Sequence, residues 1–306
     1  MTTPNAASVD IREVGPRDGL QNEVPVPVAD RVRLIDALSR TGLRVIEAAA
    51  FVHPAAIPSM AGSEQVVAAM SRAEGVTYRA LVPNERGAER AVEAAVDEIE
   101  VVVSASDTHS RKNVRMSTTD ALEQLAGVIA IGHDAGLPVE GIVATAFGCP
   151  YEGPIEPARV AALAAGLLDD GADSLSFGDT TGMATPRQVD ALLDALAAQG
   201  IAAHTVALHF HNTRNTGLVN IVAALDRGVR RFDASIGGLG GCPYAPGASG
   251  NVPTEDVVHL VEAIGFETGI DLEALIDVAK LAEEIVGREL PGQVMKAGPR
   301  TRTVRR

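Results

Sequence analysis

Two histidines one residue apart, His209 and His211, carry the sharpest chemical signal in this 306-residue chain. Side chains alternate along a strand, so both imidazoles face one way and Phe210 faces the other. Two converging imidazoles can share one divalent ion, whereas an isolated His-x-His could equally be a pair of hydrogen-bonded core histidines. Asp18 and Asn251, which the element order below brings to the same end of the fold, supply oxygen ligands and move the reading toward a metal site. Two nitrogens and two oxygens suit Mg2+, Mn2+ or Co2+.

Asp18 follows Arg17 in the string Gly15-Pro16-Arg17-Asp18-Gly19-Leu20-Gln21-Asn22-Glu23. Adjacent opposite charges usually form a solvated surface pair of little energetic consequence. The functional reading separates them: Asp18 goes to the metal, and the planar fork of Arg17 goes to an oxyanion. Glu47 either holds that guanidinium or stands behind the metal, and the sequence leaves both open. Between Gly237 and Asn251 lie six glycines in fifteen residues. Such a run suits a flexible linker, or, inside a repeating α/β chain, a loop that covers substrate. Cys242 within it is a proton donor, a nucleophile or a small apolar filler. Cys149 sits in a second Gly-Cys-Pro-Tyr string and is read as structural.

These residues need elements to position them. Eight β-rich runs are read as strands: Val9–Val14, Arg44–Glu47, Thr77–Val82, Ile99–Ser104, Val139–Thr145, Asp173–Phe177, Thr205–His211 and Arg231–Ser235. Helical periodicity separates most of them, with Val28, Val32, Ile35 and Leu38 on one face and Val189, Leu192, Leu193 and Leu196 on another. Ser63, Ser117, Thr254 and the Thr185-Pro186 pair mark helix starts, and Gly42, Gly136, Gly171 and Gly200 mark ends. Eight strand–helix units without a break in composition predict one (β/α)8 TIM barrel domain over residues 1–306, with an additional helix near Asp271–Val286. A doubly wound open sheet is the other arrangement weighed, but no G-x-G-x-x-G follows the first strand. Residues 295–306 are basic and are read as a solvated tail.

In a barrel of this kind the active site is built at the C-terminal ends of the strands. Arg17 and Asp18 follow the first strand, Glu47 lies on the second, Asp179 follows the sixth, His209 and His211 end the seventh, and Cys242 and Asn251 follow the eighth. That shared end weighs more than any single residue.

Composition sets the outer limits. Trp is absent and aromatics make up 3% of a chain that is 46% apolar, which suits close packing of helices on strands. A net charge of −14 opposes nucleic-acid binding, and no uncharged apolar stretch is long enough for a membrane span. Met1–Val9 has neither a basic nor an apolar leader segment, and two distant cysteines fit a reducing, cytoplasmic setting.

At Gly15–Glu23, Ser176-Phe177-Gly178-Asp179-Thr180, His209-Phe210-His211 and Gly238–Asn251 the sequence resembles the hydroxymethylglutaryl-CoA lyase family, from about Val9 to Ile285. The resemblance implies a Mg2+- or Mn2+-dependent carbon–carbon lyase acting on an acyl-CoA, and a homodimer. It implies Asp18, His209, His211 and Asn251 as metal ligands, and Arg17, Glu47, Asp179, His209 and Cys242 as catalytic residues. Val24 stands where the family commonly has a lysine suited to a CoA phosphate, and Ala48-Ala49-Ala50 precedes Phe51 where relatives often carry Thr or Ser. Arg111, Lys112, Arg115, Lys296 and Arg300 are the other cations available for phosphate.

The implied reaction is a retro-Claisen cleavage of 3-hydroxy-3-methylglutaryl-CoA to acetyl-CoA and acetoacetate, with His209 or Asp179 as base, Arg17 stabilising the enolate and Cys242 returning the proton. A lyase for a longer, branched 3-hydroxyglutaryl-CoA is the nearest alternative. A Claisen-type synthase is disfavoured by the Cys242 loop, and a non-haem iron oxygenase by the lack of any co-substrate motif. A barrel that binds CoA esters without turnover would have degraded catalytic positions, and here all are filled.

Overall fold

Alternating apolar residues extend the chain at eight places, and the eight strands pair in parallel into a closed barrel in sequence order. The computed structural model describes residues 7–241 and 250–303. The strands are β1 Asp10–Glu13, β2 Val45–Ala50, β3 Thr77–Leu81, β4 Glu98–Ser104, β5 Val139–Ala144, β6 Ser174–Asp179, β7 Val206–Phe210 and β8 Arg231–Ala234. β1 closes the ring on β8 through Ile11 opposite Phe232 and Glu13 opposite Ala234. The fold expected from the sequence is the fold observed.

Helices α1 Val28–Leu38, α2 Ser63–Ala69, α3 Glu85–Glu93, α4 Asp107–Asn113, α5 Thr118–Asp134, α6 Pro157–Asp169, α7 Pro186–Ala198, α8 Gly217–Asp226 and α9 Thr254–Ala263 follow the strands around the outside. Ile99 of β4 and Val139 of β5 press on Gly132 of α5, where an added Cβ would meet their side chains at 2.8 and 2.7 Å. Both are fully buried, and each such side chain contributes roughly 1.5–3 kcal/mol on removal from water. The apolar core therefore lies between sheet and helices.

Several local expectations change in the folded chain. β2 runs three residues past Glu47, because Ala48, Ala49 and Ala50 are buried, and its pairing with β3 shifts between Glu47 and Ala49. β6 extends to Asp179, whereas His211 lies just beyond β7 in an isolated bridge with Asn251. Ser117 caps α5 by accepting from the Asp120 amide at 3.1 Å, as its position predicts. Ser63 and Thr254 do not cap. Their hydroxyls donate instead to Ala50 O at 2.8 Å and Glu13 Oε2 at 2.6 Å, buried acceptors that would otherwise lose a partner. Gly42, Gly136, Gly171 and Gly200 all take positive φ, the conformation a helix end needs.

After the barrel come α10 Leu272–Val286, capped by Asp271 accepting from the Ala274 amide at 3.1 Å, and the short α11 Val294–Ala297. The solvated-tail reading therefore needs correction at its start. Met295 is buried, and Asp256 accepts from the amides of Gln293 and Val294 at 3.0 and 2.7 Å, which fixes the first turn of α11. Lys296, Arg300 and Arg302 beyond it are exposed, Lys296 and Arg302 in surface pairs with Glu289 and Glu273.

The barrel interior departs from the usual filling of branched apolar side chains. Arg12 of β1 bridges Asp233 of β8 and Glu140 of β5, the latter at 2.6 Å. Arg79 of β3 reaches Glu140 at 3.0 Å and Glu98 and Glu100 of β4 at 2.9 and 3.2 Å. Beneath the barrel mouth lies a buried lattice of paired charges.

Candidate active site

The chain leaves β1 through a π-helical turn, Gly15–Gly19, that carries Arg17 and Asp18 at the barrel mouth. Glu13, at the end of the strand, accepts from the amides of Gly15 at 2.7 Å and Ile236 at 2.8 Å, tying this turn to the loop after β8. A Cβ at Gly19 would sit 2.7 Å from Ser235 Oγ and 2.9 Å from Leu239 Cβ, so only glycine lets the two segments approach this closely.

Arg17 is buried, with Nε donating to Glu47 Oε1 and Nη1 lying 3.0 Å from Asp18 Oδ1. Of the two roles left open for Glu47, the geometry selects holding the guanidinium. Burial works against the Arg17 charge, but Glu47 and Asp18 outweigh it and raise its pKa above the ordinary arginine value. Burial pushes the Glu47 carboxyl well above its usual range; Arg17 pulls it down and the neighbouring Glu100 adds to the push.

Strand alternation does what the His-x-His spacing predicts. His209 and His211 share a face, their ring centroids 5.3 Å apart, while the buried Phe210 packs on Phe147 at 5.7 Å. Ligand atoms of Asp18, His209 and His211 lie within 4.8 Å of one another. Asn251 donates Nδ2 to Asp18 Oδ2 at 2.8 Å and to Leu239 O at 3.0 Å. Burial opposes ionisation of Asp18, but Arg17, His209 and His211 overcome it and lower its pKa. Burial, reinforced by His209, drives His211 down to about 4, which keeps its ring neutral and able to ligate.

Orphaned atoms test whether this cluster suits a cation. His211 Nδ1 and Asn251 Oδ1 are both buried without a partner among the described residues. Leaving such buried polar atoms unsatisfied costs roughly 1–3 kcal/mol each. Two imidazoles, one carboxylate and one amide oxygen form a mixed nitrogen–oxygen donor set fit for a divalent ion.

Asp179, the last residue of β6, accepts from the amides of Met183 and Ala184 at 2.7 and 3.0 Å through Oδ1. Its Oδ2 is buried and has no partner among the described residues. Burial raises its pKa to about 7, against the pull of those amides, His209 and Arg214. Cys242 lies outside the described residues. The loop leading to it is anchored where Asn22 donates to Gly241 O at 2.7 Å. Cys149 is buried as a free thiol and accepts from Ser106 Oγ at 3.0 Å, in keeping with a structural role.

The sequence reading missed Asp233 and Arg12. Asp233 Oδ2 lies 3.3 Å from His209 Nδ1, and Arg12 holds the other carboxylate oxygen. Burial lowers the His209 pKa, but Asp233 and Asp18 more than offset this and leave it raised. The available signal was phase: in Arg231-Phe232-Asp233-Ala234 a carboxylate takes an inward position on a strand, two residues from another inward charge. Of the cations considered for phosphate, Arg111 pairs with Asp107 at 2.7 Å, Lys112 lies 4.9 Å over the Tyr151 ring, and Lys296 pairs with Glu289 at 2.7 Å.

No helix among the described residues is long and apolar enough to cross a membrane. The HMGL-like family model matches residues 8–282. A hydroxymethylglutaryl-CoA lyase of Bacillus subtilis is 48% identical over 95% of this chain and 97% of its own length. A 3-hydroxy-3-isohexenylglutaryl-CoA/hydroxymethylglutaryl-CoA lyase of Pseudomonas aeruginosa is 42% identical over 94% of this chain and 96% of its own. The solved structure of an HMG-CoA lyase from Acinetobacter baumannii, in complex with coenzyme A and 3-methylmalate, superposes with a TM-score of 0.94 at 42% identity, covering 99% of each chain. With a family model spanning most of the barrel and relatives matched nearly end to end, the chain belongs to the hydroxymethylglutaryl-CoA lyase (HMGL-like) family.

Proposed function

We propose that this barrel is a Mg2+- or Mn2+-dependent carbon–carbon lyase that cleaves 3-hydroxy-3-methylglutaryl-CoA to acetyl-CoA and acetoacetate. The observation that carries the reading is the convergence of Asp18, His209 and His211 within 4.8 Å at the barrel mouth, beside a buried Arg17. The activity of the Bacillus subtilis relative supports the choice of substrate.

Asp18, His209, His211 and Asn251 would hold the ion. When bound, a divalent ion supplies Lewis acidity to the substrate's hydroxyl and distal carboxylate. The chain's own side chains do the rest. A base takes the hydroxyl proton; of the two candidates Asp179 suits that task, whereas the single lone pair of His209 would be committed to the ion. Asp179 has a buried oxygen without a partner among the described residues and a pKa of about 7, near a working pH. His209 is held in place by Asp233. The O–H electron pair becomes the ketone of acetoacetate, and the C2–C3 pair moves onto the thioester as an enolate. Arg17, fixed by Glu47, faces the developing negative charge in a buried setting where such contacts are strongest. Cys242 returns a proton to the enolate carbon.

A longer or branched 3-hydroxyglutaryl-CoA is the second reading. The Pseudomonas aeruginosa relative acts on an isohexenyl homologue, and Ala48-Ala49-Ala50 at the mouth end of β2 contributes little side-chain bulk there. Metal-stripped protein, reloaded with Mg2+ or Mn2+, is assayed on each thioester for acetyl-CoA release. Acetoacetate from hydroxymethylglutaryl-CoA supports the first reading; turnover of the longer thioester alone selects the second; no release from either overturns both.

A further inference from the structure

One carboxylate inside the barrel touches a histidine of the candidate metal site. Asp233, on β8, places Oδ2 3.3 Å from His209 Nδ1, while the other ring nitrogen, Nε2, lies 4.0 Å from Asp18 Oδ2. The carboxylate is not free to turn. Arg12 donates Nε to Asp233 Oδ1 at 2.6 Å and brings Nη2 within 2.5 Å of the same oxygen. Arg12 is gripped in turn by Glu140 Oε1 at 2.6 Å, and Glu140 Oε2 takes Arg79 at 3.0 Å. Side chains from β1, β3, β5 and β8 thus converge to aim a single oxygen at one imidazole nitrogen.

We propose that Asp233 is a positioning residue for His209: it accepts the Nδ1 proton and so fixes the tautomer whose Nε2 lone pair faces Asp18 and His211. A neutral imidazole has one N–H and one lone pair, and a carboxylate can only accept. The contact therefore selects the Nδ1–H form, and the lone pair needed by a cation falls on Nε2. Such an outer carboxylate orients a ligating histidine and typically contributes 10–100-fold to metal affinity. The inference rests on the metal-site reading and deepens it.

Asp233→Asn tests it with almost no change of shape. Arg12 donates only, so it retains the asparagine carbonyl at the Oδ1 position, and the amide nitrogen takes the place facing His209 Nδ1. A donor there demands a lone pair on Nδ1 and drives the proton to Nε2. Mn2+ affinity, titrated by electron paramagnetic resonance, should fall about 10–100-fold. In a His209→Ala background the same change should produce no further loss, because Asp233 acts through the ring. Unchanged affinity in the single variant, or an equal loss in the His209→Ala background, overturns the proposal. A readout on the unaltered protein covers failure of the variant to fold. In [15N]histidine-labelled protein at alkaline pH, where the ring is neutral, with the resonance assigned by its loss in His209→Gln, His209 should carry its single proton on Nδ1. A neutral ring protonated on Nε2 instead overturns the proposal. If the unaltered protein binds no Mn2+, the metal-site reading falls with it; normal Mn2+ binding with the wrong tautomer sinks the Asp233 role alone.

Discussion

Asn251 donates its amide nitrogen to Asp18 Oδ2 at 2.8 Å, joining the segment after β8 to the turn after β1 and leaving Asn251 Oδ1 buried without a partner among the described residues. One side chain thereby orients a carboxylate and offers an oxygen. Asn251→Ala removes both contributions, and His211→Ala removes a neutral nitrogen. Each should weaken Mn2+ binding by at least about 10-fold. Chelator-stripped parent protein should lose turnover and regain it with Mg2+ or Mn2+. Full activity in chelator, or parental affinity in both variants, would remove these residues from the ligand set.

Arg17→Gln should leave KM within a few-fold and lower kcat by about 10²–10³ or more. Enolate charge exists only once the carbon–carbon bond is breaking, so a cation aimed at it acts on the transition state. Steady-state kinetics on the metal-loaded variant check this. A large rise in KM at constant kcat would make Arg17 a substrate-binding residue instead.

Cys242→Ser should bind metal with parental affinity yet turn over far more slowly, since a serine hydroxyl is a much weaker acid than a thiol of pKa about 8.5. Cys149 is buried, so alkylation should inactivate the parent through Cys242 and a bound substrate analogue should protect it. Retention of normal rates by the serine variant would leave the proton donor to be sought elsewhere.

Glu13 and Glu255 are buried carboxyls whose pKa values burial raises to about 7 and about 8, both bonded to backbone amides of the Ile236–Gly237 segment. The folded state holds protons that the unfolded chain has released above about pH 4.5. Their stabilisation is therefore complete below that pH and is lost as pH rises toward 8. Each group costs up to about 1.4 kcal/mol per pH unit over its window. Thermal melts of metal-free protein should show Tm falling from pH 5 to pH 8, with a shallower decline for Glu255→Gln. An identical slope in that variant would acquit Glu255.

Much of the site was legible because it depends on local rules. The His209-x-His211 spacing puts two rings on one face wherever the segment is a strand, and the face proved to be the barrel mouth. Glu47 could not be placed in advance, because its role depends on Arg17, thirty positions earlier in the chain. Ser63 and Thr254 looked like caps by position and were not. Their hydroxyls were taken by Ala50 O and Glu13 Oε2, acceptors that arrive only with tertiary packing.

Alternation of β-rich and helical segments, with polar residues gathered after the strands, determined the barrel and the end at which its chemistry lies. Such patterns are set by neighbours within a few residues, and they survive whatever else the chain does. Only the tertiary structure decided which carboxylate partners each buried cation. Arg12 meets Asp233 across 221 positions and Glu140 across 128, and the ring must close before either pair exists. Charges taken out of water tolerate few arrangements, so their partners follow from distances and rotamers inside the closed barrel. The aim of Asp233 at His209 was decided there.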